Sequence, residues 1–87
     1  MTPWYVYILR CADGSLYTGV ATDLERRLAE HNGSGKLGAR YTRARRPVTL
    51  VYSEPAESRA AACRREAAIK KLRRVEKERL VASCSPA

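Results

Sequence analysis

The sequence predicts an α/β (α+β) domain built on a small three-stranded, largely antiparallel sheet flanked by helices. Three observations carry this. Two runs rich in aromatic and β-branched residues, Trp4 to Arg10 and Leu16 to Val20, are separated only by turn residues. A third β run, Val48 to Ser53, lies well downstream. Between and after these runs the apolar residues recur at helical spacing or the composition is that of good helix formers.

The first run reads as a strand at or near the centre of the sheet, because it is apolar almost without interruption. Ala12-Asp13-Gly14-Ser15 supplies turn chemistry, so Leu16 to Val20 folds back as the second arm of a hairpin. A three-residue loop with Gly14 left-handed places Tyr17 opposite Cys11, on the face that carries Tyr7. A two-residue loop places it on the other face. Thr22-Asp23-Leu24-Glu25 has the spacing of a capping box, with Thr22 as the cap. Leu24, Arg27, Leu28 and His31 then share one helical face, and Asn32-Gly33 stops the helix. A basic loop follows from Gly33 to Pro47, and then the third strand. Pro55 suits the first turn of a long helix running from Ala56 to about Arg73, with no breaker inside. A short amphipathic segment, Val75 to Val81, packs back, and Ser83 to Ala87 is expected to be a flexible tail.

With 87 residues, one domain is expected over 1–87, with a core of about 4–80. The net charge of +8 exceeds what solubility asks of so small a domain, and most of the cations are Arg, whose planar fork matches phosphate. An anionic partner follows, and nucleic acid is favoured. Cys11, Cys63 and Cys84 are an odd set without paired spacing, which argues against a disulfide framework or a zinc site and fits a reducing cytoplasm. No apolar run has signal or transmembrane length, so no membrane partner is expected.

Cutting a phosphodiester requires an activated water, positive charge on the non-bridging oxygens and help for the leaving oxygen. The chain offers tyrosines on a hairpin, Arg27 and His31 one turn apart on a helix, and Glu66 on the long helix. There Ala62, Glu66, Ile69 and Lys70 fall on one face. The ordered set Tyr5-Val6-Tyr7, Tyr17-Thr18-Gly19 and Asp23 to Asn32 resembles the GIY-YIG nuclease superfamily. The likeness is greatest to small stand-alone bacterial members and more distant to the N-terminal catalytic domain of the excinuclease. Gly38 to Thr42 and Arg45-Arg46-Pro47 resemble a loop of the stand-alone subgroup.

The resemblance implies the GIY-YIG fold and a metal-dependent endonuclease. Tyr7 and Tyr17 take the places of the motif tyrosines, Arg27 that of the phosphate-steadying arginine, His31 a position held by His or Tyr, and Glu66 that of the metal-binding carboxylate. Either tyrosine is a candidate to activate water, provided that a cation eases loss of a phenol proton that leaves near pH ~10 in free solution. One Mg²⁺ or Mn²⁺ is implied, held weakly without substrate because a single carboxylate anchors it. Tyr5 stands where the name-giving glycine is usual, Thr18 where Ile is usual and Val20 where the excinuclease domain has a lysine. The chain's one Asn precedes Glu66, so no asparagine follows it.

DNA, favoured over RNA, is expected to contact Arg26, Lys36, Arg40, Tyr41, Arg43, Arg45, Arg46 and Lys70, through counterion release on the phosphate backbone. No appended recognition domain is expected, which leaves specificity to the basic loop, to substrate shape such as branched or single-stranded DNA in repair, or to a partner protein. Glu66 pairing with Lys70 at i+4 is the plain structural alternative at that position. The alternative for the whole chain is a nucleic-acid-binding module with the same basic surface and little or no cleavage.

Overall fold

The computed structural model describes residues 3–33, 42 and 44–83. Its elements in chain order are β1 (Trp4–Arg10), β2 (Leu16–Ala21), α1 (Leu24–Asn32), β3 (Thr49–Ala56), α2 (Arg59–Lys70) and α3 (Arg74–Ser83). The strands form one sheet in the order β2-β1-β3, and both pairings are antiparallel.

The unbroken apolar run of β1 has a direct cause, because the central strand is covered on both faces. Tyr7, Leu9 and Cys11 face α1 and pack with Ala21, Val48, Leu24 and Leu28. Val6 and Ile8 face the other way, onto Ala62 and Ile69 of α2 and Leu80 and Val81 of α3. The result is three layers, α1, sheet, then α2 with α3. Thr18 and Val20 belong to the second face, opposite Ile8 and Val6. Thr18 is buried there and Val20 packs among apolar side chains, so both departures from the family pattern lie at packing positions.

The hairpin loop is Ala12 to Gly14, with Gly14 at φ 85°. Gly14 donates to the Cys11 carbonyl at 2.9 Å, and the Cys11 amide donates to the Ser15 carbonyl at 2.8 Å. Only a residue without Cβ takes that backbone angle without strain. The pairing places Tyr17 opposite Leu9 rather than Cys11. The slip from the expected register is two residues, so Tyr17 still shares the face of Tyr7. A slip of one would have reversed it.

Other boundaries move for local reasons. Asp23, not Thr22, caps α1, its carboxylate accepting from the Arg26 amide at 3.1 Å, so the expected capping box does not form. Gly33 ends α1 as expected, in extended conformation, donating to the Ala29 carbonyl at 2.8 Å. Pro55 lies in β3 opposite Tyr5 and not in a helix. An edge strand tolerates a residue without N–H, since half its amides have no ladder partner to serve. Helix α2 accordingly starts at Arg59, capped by the Ser58 hydroxyl, which accepts from the Ala61 amide at 3.1 Å.

The expected long helix ends at Lys70, three residues early, and the expected packing segment Val75 to Val81 is helix α3. Lys71 and Leu72 close α2 with bonds back three residues, to Ala68 and Ile69. The Arg73 carbonyl then opens α3, and the Glu76 carboxylate accepts from the Arg73 amide at 3.1 Å. The bend turns Leu80 and Val81 onto the sheet. Arg10 fixes the arrangement with two bonds to Glu78, at 2.7 and 3.1 Å, and Arg74 donates to the Gly14 carbonyl at 2.6 Å. Ser83 is the last residue of α3 rather than the start of a tail, and 84–87 lie outside the described residues. No helix among the described residues is long and apolar enough to cross a membrane.

Candidate active site

The alternation of β1 turns Tyr7 toward α1, and Gly19 stands opposite it across the hairpin. The phenol ring lies over that glycine. A Cβ built at position 19 would meet the Tyr7 hydroxyl oxygen at 2.5 Å and Cζ at 2.7 Å. Gly19 is therefore a steric requirement of the site, which the reading of the chain passed over. Its signal was the glycine of the second motif, in register with a tyrosine.

Helix periodicity brings Arg27 and His31 to the same end of this ring. The Tyr7 hydroxyl lies 3.0 Å from His31 Nε2, and His31 Nδ1 lies 2.7 Å from Thr42 Oγ1. All three side chains are buried. The Arg27 guanidinium stands close enough to the Tyr7 hydroxyl to favour loss of its proton, and through Nη1 it donates to Glu30 at 2.9 Å. Arg26 donates to the other oxygen of Glu30 at 3.2 Å. Tyr17 completes the group, with its ring centroid 5.3 Å from that of His31, edge-on, and 6.5 Å from that of Tyr7. Thr42 and Glu30 were not singled out in the sequence. Each lies inside a stretch that carries the resemblance, but its part is defined only by the residue it meets.

Burial governs the electrostatics. It pushes the imidazole of His31 down from 6.5 to about 4, and the charges of Arg27 and Arg46 add to this, so His31 is neutral at pH 7. Burial raises the Tyr7 phenol, and Arg27 opposes that without overcoming it. The cation expected to ease loss of a tyrosine proton is thus in contact with Tyr7, yet the resting phenol holds its proton more firmly than free tyrosine. Glu66, on α2, stands near enough for its charge to bear on the same hydroxyl. Its side chain is 23% exposed and pairs with Lys70 at 3.4 Å. No group of three or more His, Cys, Asp or Glu that could hold a metal occurs among the described residues. Glu66 suits the part of a lone hard oxygen ligand, partly open and next to the tyrosine, completed by water and substrate.

The expected binding residues divide. Arg26 is exposed apart from its pairing with Glu30. Arg45 ties to Asp13 of the hairpin loop at 3.1 Å. Arg46 donates through Nε to the His31 carbonyl at 2.6 Å and so serves the end of α1. Asn32 clamps the chain before β3, its amide donating to the Val48 carbonyl at 3.0 Å and its oxygen accepting from the Val48 amide at 2.7 Å. Lys36, Arg40, Tyr41 and Arg43 lie outside the described residues.

Residues 3–79 match the GIY-YIG catalytic domain. The chain is 58% identical over 78 residues to a UPF0213 protein of Desulfotalea psychrophila, covering 90% of this chain and 70% of that one. Among solved structures, the UPF0213 protein of Bacillus halodurans is 48% identical with a TM-score of 0.61, over 97% of this chain and 87% of that one. A protein of E. faecalis is 43% identical with a TM-score of 0.63, over 95% and 86%. Domain match, identity over nearly the whole chain and shared fold together show that this chain belongs to the GIY-YIG family, among its UPF0213 relatives.

Proposed function

We propose that the chain is a metal-dependent endonuclease that hydrolyses phosphodiester bonds of nucleic acid in a reducing cytoplasm, with DNA preferred to RNA and structured or repair substrates preferred to plain duplex. The observation that carries this is the buried Tyr7 hydroxyl 3.0 Å from the neutral imidazole of His31, with the Tyr17 ring beside it and the charges of Arg27 and Glu66 acting on it.

Tyr7 is the motif tyrosine whose hydroxyl lies 3.0 Å from a neutral imidazole nitrogen, so it is assigned the proton transfer. A phenol raised by burial is not a resting phenolate. It works as a carrier, passing its proton to His31 Nε2 while taking one from the attacking water. Arg27 draws the non-bridging oxygens of the phosphate to the edge of this pair. A phosphate there offsets one of the charges that keep His31 from accepting a proton. Tyr17, half-buried, lines the approach. Glu66 would hold one Mg²⁺ or Mn²⁺, which when bound shields the charge that builds on the phosphate and the leaving oxygen. The +8 charge supplies sequence-independent affinity, in which Arg26, Lys36, Arg40, Tyr41, Arg43, Arg45 and Lys70 take part.

The test is a nicking assay over duplex, branched and single-stranded DNA and RNA, with and without Mn²⁺, comparing the wild type with Glu66→Ala and Tyr7→Phe. Metal-dependent cleavage by the wild type, lost in both variants at nearly unchanged affinity, is expected. Salt-sensitive binding with no cleavage by the wild type on any substrate would replace the nuclease with a binding module.

A further inference from the structure

We infer that Thr42 is a positioning residue which fixes the tautomer of His31, so that the Nε2 lone pair faces the Tyr7 hydroxyl. The catalytic consequence rests on the nuclease reading above; the tautomer itself does not.

A neutral imidazole carries one N–H and one acceptor nitrogen, and both nitrogens of His31 are in use inside the fold. Two arrangements satisfy the distances. In one, Nδ1–H donates to Thr42 Oγ1 and Nε2 accepts the phenol proton. In the other, the Thr42 hydroxyl donates to Nδ1 and Nε2–H donates to Tyr7. The rest of the Tyr7 environment separates them. Among the described residues its hydroxyl has one hydrogen-bond partner, His31 Nε2, and the neighbouring charge that acts on it, Arg27, can only donate. In the second arrangement the phenol oxygen takes the Nε2–H while its own proton, in a side chain 2% exposed, has no acceptor among the described residues. Buried hydroxyl protons are rarely left so. The first arrangement pairs the phenol and imidazole protons and leaves the Thr42 hydroxyl proton for the further partner that Thr42 has beside His31. It requires an acceptor at Nδ1, and Thr42 Oγ1 at 2.7 Å, itself fully buried, is that acceptor.

The direction of the chain of hydrogen bonds has a chemical result. With Nδ1–H held by Thr42, the phenol proton can move to Nε2, giving an imidazolium whose two N–H groups point at Thr42 and at the Tyr7 oxygen. The phenolate that remains takes a proton from the attacking water, so the charge on Tyr7 is restored to zero. In the opposite tautomer Nε2 is already protonated and the transfer is blocked.

The chain has one histidine, so long-range ¹H–¹⁵N correlation of the tag-free protein at neutral pH reads this tautomer without ambiguity. The Nδ1–H form is expected to dominate. Thr42→Val, which keeps the shape and removes the oxygen, is expected to shift population to Nε2–H and to lower kcat about tenfold with KM for DNA unchanged. Thr42→Ser is expected to restore both. A dominant Nε2–H form in the wild type overturns the inference, as does an unchanged tautomer in a folded Thr42→Val protein. If Thr42→Val does not fold, the wild-type and Thr42→Ser spectra decide. If the wild type cuts nothing, the nuclease reading fails and the spectra still judge the role of Thr42.

Discussion

Burying a neutral histidine makes the fold sensitive to mild acid, and the size of the effect follows from its two proton affinities. In the unfolded chain the imidazole takes its proton near 6.5; in the fold it does so only at about 4. Above 6.5 both states are neutral and the difference contributes nothing. As pH falls from 6.5 toward 4, the unfolded state binds a proton that the fold refuses, so stability falls with pH. Below 4 both states are charged and the loss is complete. The linkage relation puts that loss at about 2 kcal/mol between about pH 7.5 and about pH 5, and at about 3 kcal/mol in full. A small domain has little more than that to spare. Urea unfolding of the wild type and of His31→Gln across this range isolates the effect, because the carboxylates that titrate at lower pH are common to both. The wild type is expected to lose about 2 kcal/mol more than His31→Gln, with uptake of nearly one proton on unfolding near pH 5. Parallel stability curves for the two proteins, or an NMR titration of His31 with its midpoint near 6.5, would show that burial does not hold the imidazole neutral.

Other outcomes follow from the same contacts. Gly19→Ala forces a methyl group into the Tyr7 phenol and is expected to cost about 1–3 kcal/mol in denaturant unfolding, with nicking reduced because the hydroxyl moves off His31. Arg46→Ala removes a charged donor from the end of α1 and is expected to cost about 1–3 kcal/mol of stability, read by the same unfolding assay. Arg26→Ala, at a side chain 78% exposed, is expected to leave stability within about 0.5 kcal/mol and to lower the salt slope of DNA binding by about 1. Chelation with EDTA is expected to stop nicking while leaving the melting temperature unchanged, since no group of three or more His, Cys, Asp or Glu among the described residues is placed to hold a structural metal; a large fall in melting temperature would show that a cation has a structural part.

The chain order of motif residues announced the family, and helical spacing placed Arg27 and His31 on the stripe that carries Leu24 and Leu28. Both are local properties. The face of Tyr17 was also correctly expected for the three-residue loop, although its partner was not, because a two-residue slip preserves the alternation of a strand. The misread boundaries share another cause. Pro55 was assigned to a helix because nothing in its neighbours says that β3 is an edge strand, and the end of α2 at Lys70 rather than near Arg73 carries no glycine or proline to mark it.

Local pattern along the chain was enough to specify the set of elements and the strongly cationic character, and the family resemblance named the tyrosines, arginine, histidine and glutamate as candidates. Which of them meet was settled by packing. Tyr7 reaches His31 across 24 positions of chain, and His31 reaches Thr42 across 11. Periodicity and capping act over one or two turns, whereas these contacts exist because packing α1 on one face of β1 excludes water from both. The same packing makes the histidine neutral and keeps the phenol protonated, and no reading of neighbours along the chain can supply that burial.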